Sequence, residues 1–165
     1  ETVNAQLDAL VDRVRHIAYA LRPPALDELG LCTAIAALAR NFSHPGALTI
    51  DCHLDPEADQ LAPPAAIALY RVVQECLTNI ARHASASRAH ISLQRVQDHL
   101  VLQVDDNGIG VAPEIPIDSS LGLVGMRERA HMLGGSVSIL PRPEGGTRVR
   151  VDIPVDGIAL PDGPH

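Results

Sequence analysis

There is no lysine in these 165 residues, and no tryptophan. All 13 basic residues are arginine, set against 20 acidic ones, so the formal net charge is -7. A surface of that sign excludes nucleic acid as the default partner, because phosphate contacts need a basic face. Aromatics are equally scarce: Tyr19, Phe42 and Tyr70 are the only ones. Stacked aromatic platforms for sugars or single-stranded nucleic acid are thereby excluded, and the core must be built from Leu, Val, Ile and Ala. No apolar run approaches the ~20 residues of a membrane span, and no segment has the pattern of a signal peptide. No membrane contact and a cytoplasmic location are the expectations for this piece. Cys32, Cys52 and Cys76 form no CxxC pair, so neither a zinc site nor a disulfide framework is indicated. They read as small hydrophobes in a reducing compartment. What remains is a chain long enough for one domain with a short appended element.

The first segment is a helix with a seam. Val3, Leu7, Leu10, Val14, Ile17 and Leu21 are spaced by four and three in alternation, a heptad pattern that wants a partner helix. Arg22-Pro23-Pro24 ends it. The pattern starts mid-register at Glu1 without a cap, so a fragment of a longer protein is expected. Residues 27–30 read as a link, and residues 31–42 as a second helix with Leu31, Ile35, Leu38 and Phe42 on one face. Residues 47–54 alternate as a strand, with Leu48, Ile50, Cys52 and Leu54 on one side. Residues 55–60 read as a polar loop. Pro63 and Pro64 open a long helix to about residue 84, with Ile67, Tyr70, Val73, Leu77 and Ile80 inward. Strands are expected over 88–96 and 99–105, a loop over 111–121 and a helix over 122–133, with Gly134-Gly135 as its cap. Strands over 136–140 and 147–153 close the domain. The order predicts an α+β two-layer sandwich: one mixed sheet with helices on one face, preceded by one long helix.

Four short stretches carry chemistry. On the long helix, Glu75, Asn79 and Arg82 fall on one stripe by steps of four and three, with His83 beside them. Carboxylate and carboxamide oxygens suit a hard cation and a guanidinium suits phosphate; a solvated, charged helix face would look the same. Second, Asp105-Asp106-Asn107-Gly108-Ile109-Gly110 ends a strand in carboxylates and glycines. Such a carboxylate can accept from an amino group like adenine N6, although Asp-Asn-Gly is also a common turn. Third, Gly122-Leu123-Val124-Gly125-Met126 enters a helix, where exposed N–H groups favour phosphate. It has neither the ending of a Walker loop nor the surroundings of a dinucleotide fingerprint. Fourth, Gly145-Gly146-Thr147 is a turn into a strand, with a hydroxyl available to a pocket.

In this order, on this pattern of elements, the four stretches resemble the ATP-binding catalytic domain of sensor histidine kinases, the Bergerat fold shared with gyrase, Hsp90 and MutL. Residues 75–83 look like its N box, 106–110 its G1 box, 122–129 its G2 box, and 145–147 its closing Gly-Thr motif. Residues 21–31, Leu-Arg-Pro-Pro-Ala-Leu-Asp-Glu-Leu-Gly-Leu, resemble the junction between dimerisation helix and catalytic domain in kinases that serve helix-turn-helix response regulators.

The resemblance implies a remnant of the second dimerisation helix over 1–24, an ATP-binding domain over 25–154 and a disordered tail over 155–165. It implies ATP and Mg2+ as cofactors. Asp106 would bind the adenine amino group; Asn79 would ligate Mg2+, with Glu75 beside it as metal partner or base. Arg82, where this subfamily commonly has lysine, and His83 would serve the phosphates. Gly108, Gly110, Gly122, Leu123, Gly125 and Met126 would frame the nucleotide, residues 111–121 would be a short ATP lid, and Thr147 would complete the base pocket. The implied partners are the dimerisation helix with its phosphoacceptor, a second protomer and a response regulator. Here no histidine is followed by Asp or Glu, and His16 sits off the seam on what resembles the second helix, so no phosphoacceptor is expected in this chain. A degenerate regulatory module and a gyrase-like ATPase are the competing functions.

Overall fold

In a computed structural model of the chain, residues 2–20, 23–111 and 120–157 are described. Helix α1 spans Thr2–Ala20. Its seam residues Val3, Leu7, Leu10 and Val14 are each more than half exposed, so among the described residues nothing covers that part of the seam. The other seam positions, Ile17 and Leu21, and the ring of His16 lie outside the described side chains. The expected link at 27–30 is corrected: Pro24–Leu29 forms a short helix, α2. Pro24 supplies a preset φ at the first position, Leu26 N–H donates to Pro23 O at 3.1 Å, and Ala25 and Leu26 pack onto the core. Gly30, at φ 81°, turns the chain into α3, Leu31–Phe42.

Among the described residues, five strands form one sheet in the order β1-β2-β3-β5-β4: β1 Thr49–Leu54, β2 Arg88–Val96, β3 His99–Asp106, β4 Ser136–Pro141 and β5 Thr147–Pro154. β1 runs parallel to β2 and every other pair is antiparallel. The register keeps apolar residues in phase: Ile91 faces Val104, Leu93 faces Leu102, and Leu102 faces Val151 across the other ladder. That face packs under the helices. The opposite face carries Gln103, Asp105, Arg148, Arg150 and Asp152 by simple alternation.

Helix α4, Pro63–Asn79, lies at the centre of the helical layer between α3 and α5, Leu121–Met132. The expected inward stripe on α4 is too narrow. Leu69, Val72 and Cys76 are buried with Tyr70, Val73, Leu77 and Ile80, whereas Ile67 is only half-buried. A helix with a sheet beneath it and a helix on each side has little left to expose.

Three further expectations change. The strand expected from residue 47 begins at Thr49, and Cys52 is exposed because β1 is an edge strand. Residues Pro56–Gln60 form a 3-10 turn, not a loop; Asp55 accepts from Glu57 N–H at 3.0 Å and Ala58 is buried. The expected tail starts later than residue 155: Val155–Gly157 is a 3-10 turn and Val155 N–H donates to Asp98 O at 2.8 Å. Residues 158–165, and residues 112–119 of the expected lid, lie outside the described residues.

Candidate functional site

A cleft of about 1270 Å³ opens between α4, α5, the end of β3 and the β4–β5 hairpin. Glu75, Asn79, Arg82 and His83 line it from α4 and the turn beyond. The helix is not regular there: Ile80–Ala84 is a π turn. Arg82 and His83, three and four residues beyond Asn79, both stay on the cleft side through this turn. The turn closes with Ser85 in the left-handed region at φ 49°.

Asp106, Gly110, Gly122, Leu123, Gly125, Met126 and Thr147 line the same cleft. Eleven of the twelve expected site residues are thus brought together, and Gly108 is the exception. It is not a wall of the cleft. It presses against the end of α4, where Ile109 N–H donates to Ala84 O at 2.8 Å. A Cβ on Gly108 would stand 2.8 Å from both the carbonyl carbon and the Cβ of Ala84, and closer still to the carbonyl oxygen.

The other motif glycines divide by what they touch. At Gly122 the nearest atoms to an added Cβ belong to the Glu75 carboxylate; at Gly125 the nearest is Arg129 Nη1, at 2.5 Å. Both lie near the start of α5, which Ser120 caps by accepting from Leu123 N–H at 3.3 Å. There the partial positive charge of the helix end favours anions. The buried carboxylate of Glu75 therefore sits against the backbone of the entering helix.

Asp106 is the buried carboxylate at the cleft's other end, 4% exposed. Its Oδ1 accepts from Gly108 N–H at 2.8 Å, which fixes the rotamer. Its Oδ2 has no partner among the described residues and remains available to a donor from the cleft. Around it Cys76, Ile80, Met126, Val104 and Ile139 give apolar walls suited to a flat base. Burial above all, and the Glu75 and Asp106 carboxylates next, push the Cys76 thiol far above its ordinary value. It packs against Met126 Sδ at 3.8 Å as an inert hydrophobe. Cys32 is likewise pushed up to about 12 by burial and by the neighbouring Asp59 and Asp55.

Two residues that sequence reasoning passed over hold this end in place. Asn107 Oδ1 accepts from both Ser87 N–H and Arg88 N–H at 2.9 Å, and its Nδ2 donates to Ser87 Oγ at 2.9 Å. Its side chain ties the glycine loop to the chain leaving α4. The Asp-Asn-Gly triplet carries the turn signal and belongs to the G1-like stretch, but neither reading gives Asn107 itself a role. Arg142, in the β4–β5 hairpin, donates from Nη1 to Asp106 O at 2.8 Å; nothing in its sequence surroundings marks it. Asp8 of α1 also lines the cleft, a contact no motif announced.

This sheet order, with the cleft between helical layer and sheet edge and glycine loops at both rims, is the architecture of an ATP-binding Bergerat domain. The model of the histidine kinase-, DNA gyrase B- and HSP90-like ATPase family matches residues 65–157, and the chain belongs to that family. Among individual proteins it is similar to the signal transduction histidine-protein kinase/phosphatase DegS of Brevibacillus brevis, 34% identical over 86% of this chain and 37% of that protein. It is also similar to the oxygen sensor histidine kinase NreB of Staphylococcus carnosus, 32% identical over 90% of this chain and 43% of that protein. The chain thus spans less than half the length of these relatives. The Erythrobacter litoralis EL346 blue-light activated histidine kinase shares the fold, with a TM-score of 0.68 over 92% of this chain and 50% of that one, at 24% identity.

Proposed function

We propose that this chain is the catalytic, ATP-binding part of a sensor histidine kinase. It would donate the γ-phosphoryl group of Mg-ATP to a histidine on a dimerisation helix, for onward transfer to an aspartate of a response regulator. The observation that carries the reading is the buried Asp106, with one oxygen fixed by Gly108 N–H and the other facing a cleft that also holds Glu75 and Asn79. That donor set fits the nucleotide: an anionic acceptor with apolar walls for the base, and oxygen ligands across the cleft. Among the described residues no group of three or more His, Cys, Asp or Glu could hold a metal alone. Magnesium would thus take most of its oxygens from phosphates and water, with one or two protein groups, Asn79 and Glu75, completing them.

Phosphoryl transfer depends on positioning and charge stabilisation. Magnesium, when bound, supplies neutralisation of the phosphate charge. Asp106 and Thr147 would orient the base. Arg82 and His83, both on the cleft lining, would hold the phosphates. Glu75 would accept a proton from the attacking imidazole or share in holding the metal.

Calorimetry with Mg-ATP tests the binding half. Asp106→Asn should lose about 1–3 kcal/mol of ATP affinity, because a buried donor would face an amide where it met a charged acceptor; equal affinity in both proteins would sink the assignment. Radiolabelled Mg-ATP tests the transfer half. With a dimerisation hairpin of a relative supplied in trans, acid-labile label should appear on that hairpin and vanish with Asn79→Ala. Label on this chain alone, lost on His16→Gln, would overturn the assignment of α1.

A further inference from the structure

We infer that Arg142 is a positioning residue for base recognition: its guanidinium holds the main chain of Asp106 where the carboxylate meets the adenine amino group. The inference rests on the reading of Asp106 as base acceptor. Asp106 is the last residue of β3, but the ladder to β5 ends one pair earlier, at Asp105 and Arg148. The Asp106 carbonyl therefore has no strand partner on that side, in a residue that is almost wholly buried. Buried carbonyls need donors, and Arg142 Nη1 supplies one at 2.8 Å. A side chain replaces the missing N–H of the neighbouring strand.

Arg142 is itself held. Its N–H donates to Gly146 O at 2.9 Å and its carbonyl accepts from Gly145 N–H at 3.0 Å. Nη2 donates to Glu144 Oε2 at 3.2 Å, and Nε lies 3.9 Å from Asp105 Oδ2. Asp105 is anchored in turn by Arg148, whose Nε and Nη2 both donate to it at 2.8 Å. Gly146 stops any retreat of the Asp106 main chain toward the hairpin: it sits at φ 91°, and a Cβ there would collide with the Asp106 carbonyl. The Asp106 main chain is thus wedged between Gly146 and the guanidinium. With Oδ1 bound to Gly108 N–H, the position of Oδ2 follows from that main chain. Arg142 does not line the cleft, so any effect it has on the base must pass through Asp106.

The test compares ATP with purine riboside triphosphate, which has hydrogen where ATP has the amino group, each as its magnesium complex, by calorimetry. The unaltered chain should prefer ATP. Arg142→Gln should cut that preference about tenfold, the order of one hydrogen bond to a charged group, while binding of the analogue stays within about twofold. Equal weakening of both nucleotides, or an unchanged ratio, would make Arg142 merely structural and overturn the inference. Should Arg142→Gln fail to fold, Glu144→Ala decides. Glu144 is an exposed restraint on Arg142, and its loss should lower the ratio about threefold; an unchanged ratio refutes. An unaltered chain that binds both nucleotides equally would instead sink the reading of Asp106 itself.

Discussion

Gly108→Ala separates two roles that a glycine in this motif can have. The φ of Gly108 lies outside the left-handed region, so alanine suits the backbone and any effect is steric. The new Cβ would sit 2.8 Å from two atoms of Ala84, where ordinary contact begins at 3.4 Å, and nearer still to the carbonyl oxygen. The obstacle is main chain, so no rotamer relieves it, and the loop must retreat by about 1 Å. The Ile109–Ala84 hydrogen bond, now 2.8 Å, does not survive that shift. Its loss costs about 0.5–1.5 kcal/mol, and the residual crowding about 1–3 kcal/mol. Together these give about 1.5–4.5 kcal/mol of lost stability. The Gly108–Asp106 bond at 2.8 Å opens with the same movement, releasing the Asp106 rotamer, so ATP affinity should fall about tenfold or more. Urea unfolding followed by far-ultraviolet circular dichroism gives the first quantity and calorimetry the second. A loss below about 0.5 kcal/mol would show that the loop yields freely and would refute the reasoning.

Gly125→Ala should behave in the opposite way. Its obstacle is the far end of the long Arg129 side chain, so melting temperature should change little while Mg-ATP binding weakens; a large drop in melting temperature with intact binding would contradict this. Asn107→Ala strips the shared acceptor from two backbone N–H groups and should cost about 1–3 kcal/mol, read by urea unfolding; no change would mean that water replaces the amide. Asp152 gives a pH test. Burial raises its carboxyl, but hydrogen bonds from His99 at 2.5 Å and Arg150 at 3.2 Å outweigh that and hold it below the ordinary value. A lowered value in the folded state means stability present above the unfolded carboxylate range, near ~3.9, and lost as pH falls through the folded value. The stability gap between the unaltered chain and Asp152→Asn should therefore hold at pH ~5 and close toward pH ~2; a gap constant across that range would refute it.

The helices and central strands were legible because their signal is local. Leu31, Ile35 and Leu38 repeat at helical spacing and are all buried, and Leu100, Leu102 and Val104 alternate as one face of β3. The motif residues were legible too, since most lie in short runs on α4, β3 and α5. What escaped depends on partners distant in sequence. The parallel pairing of β1 with β2 is a long-range choice that alternation cannot express. Two prolines read as breakers concealed α2, whose Ala25 and Leu26 gain from packing on the core. The π turn at Ile80–Ala84 has no spacing of its own in the sequence. Arg142 reaches Asp106 across 36 positions, so only the folded hairpin reveals it. Gly108 was placed in the pocket wall by motif and stands behind it by geometry.

The single parallel pair also governs the order of assembly. β2 and β3 meet through a tight hairpin, whereas β1 reaches β2 only after the chain has crossed over through α4. Closing that long loop before any reward arrives is slow, so the β2–β3 hairpin should precede β1 in refolding. β1 is hydrogen-bonded to one neighbour only, and its amides should exchange with deuterated water sooner than those of β3, which has strands on both sides. The nucleotide cleft draws nothing from β1. A chain whose outer strand has transiently lifted away would still present Asp106, Glu75 and Asn79 in place, so opening at that edge and loss of ligand should occur as separate events.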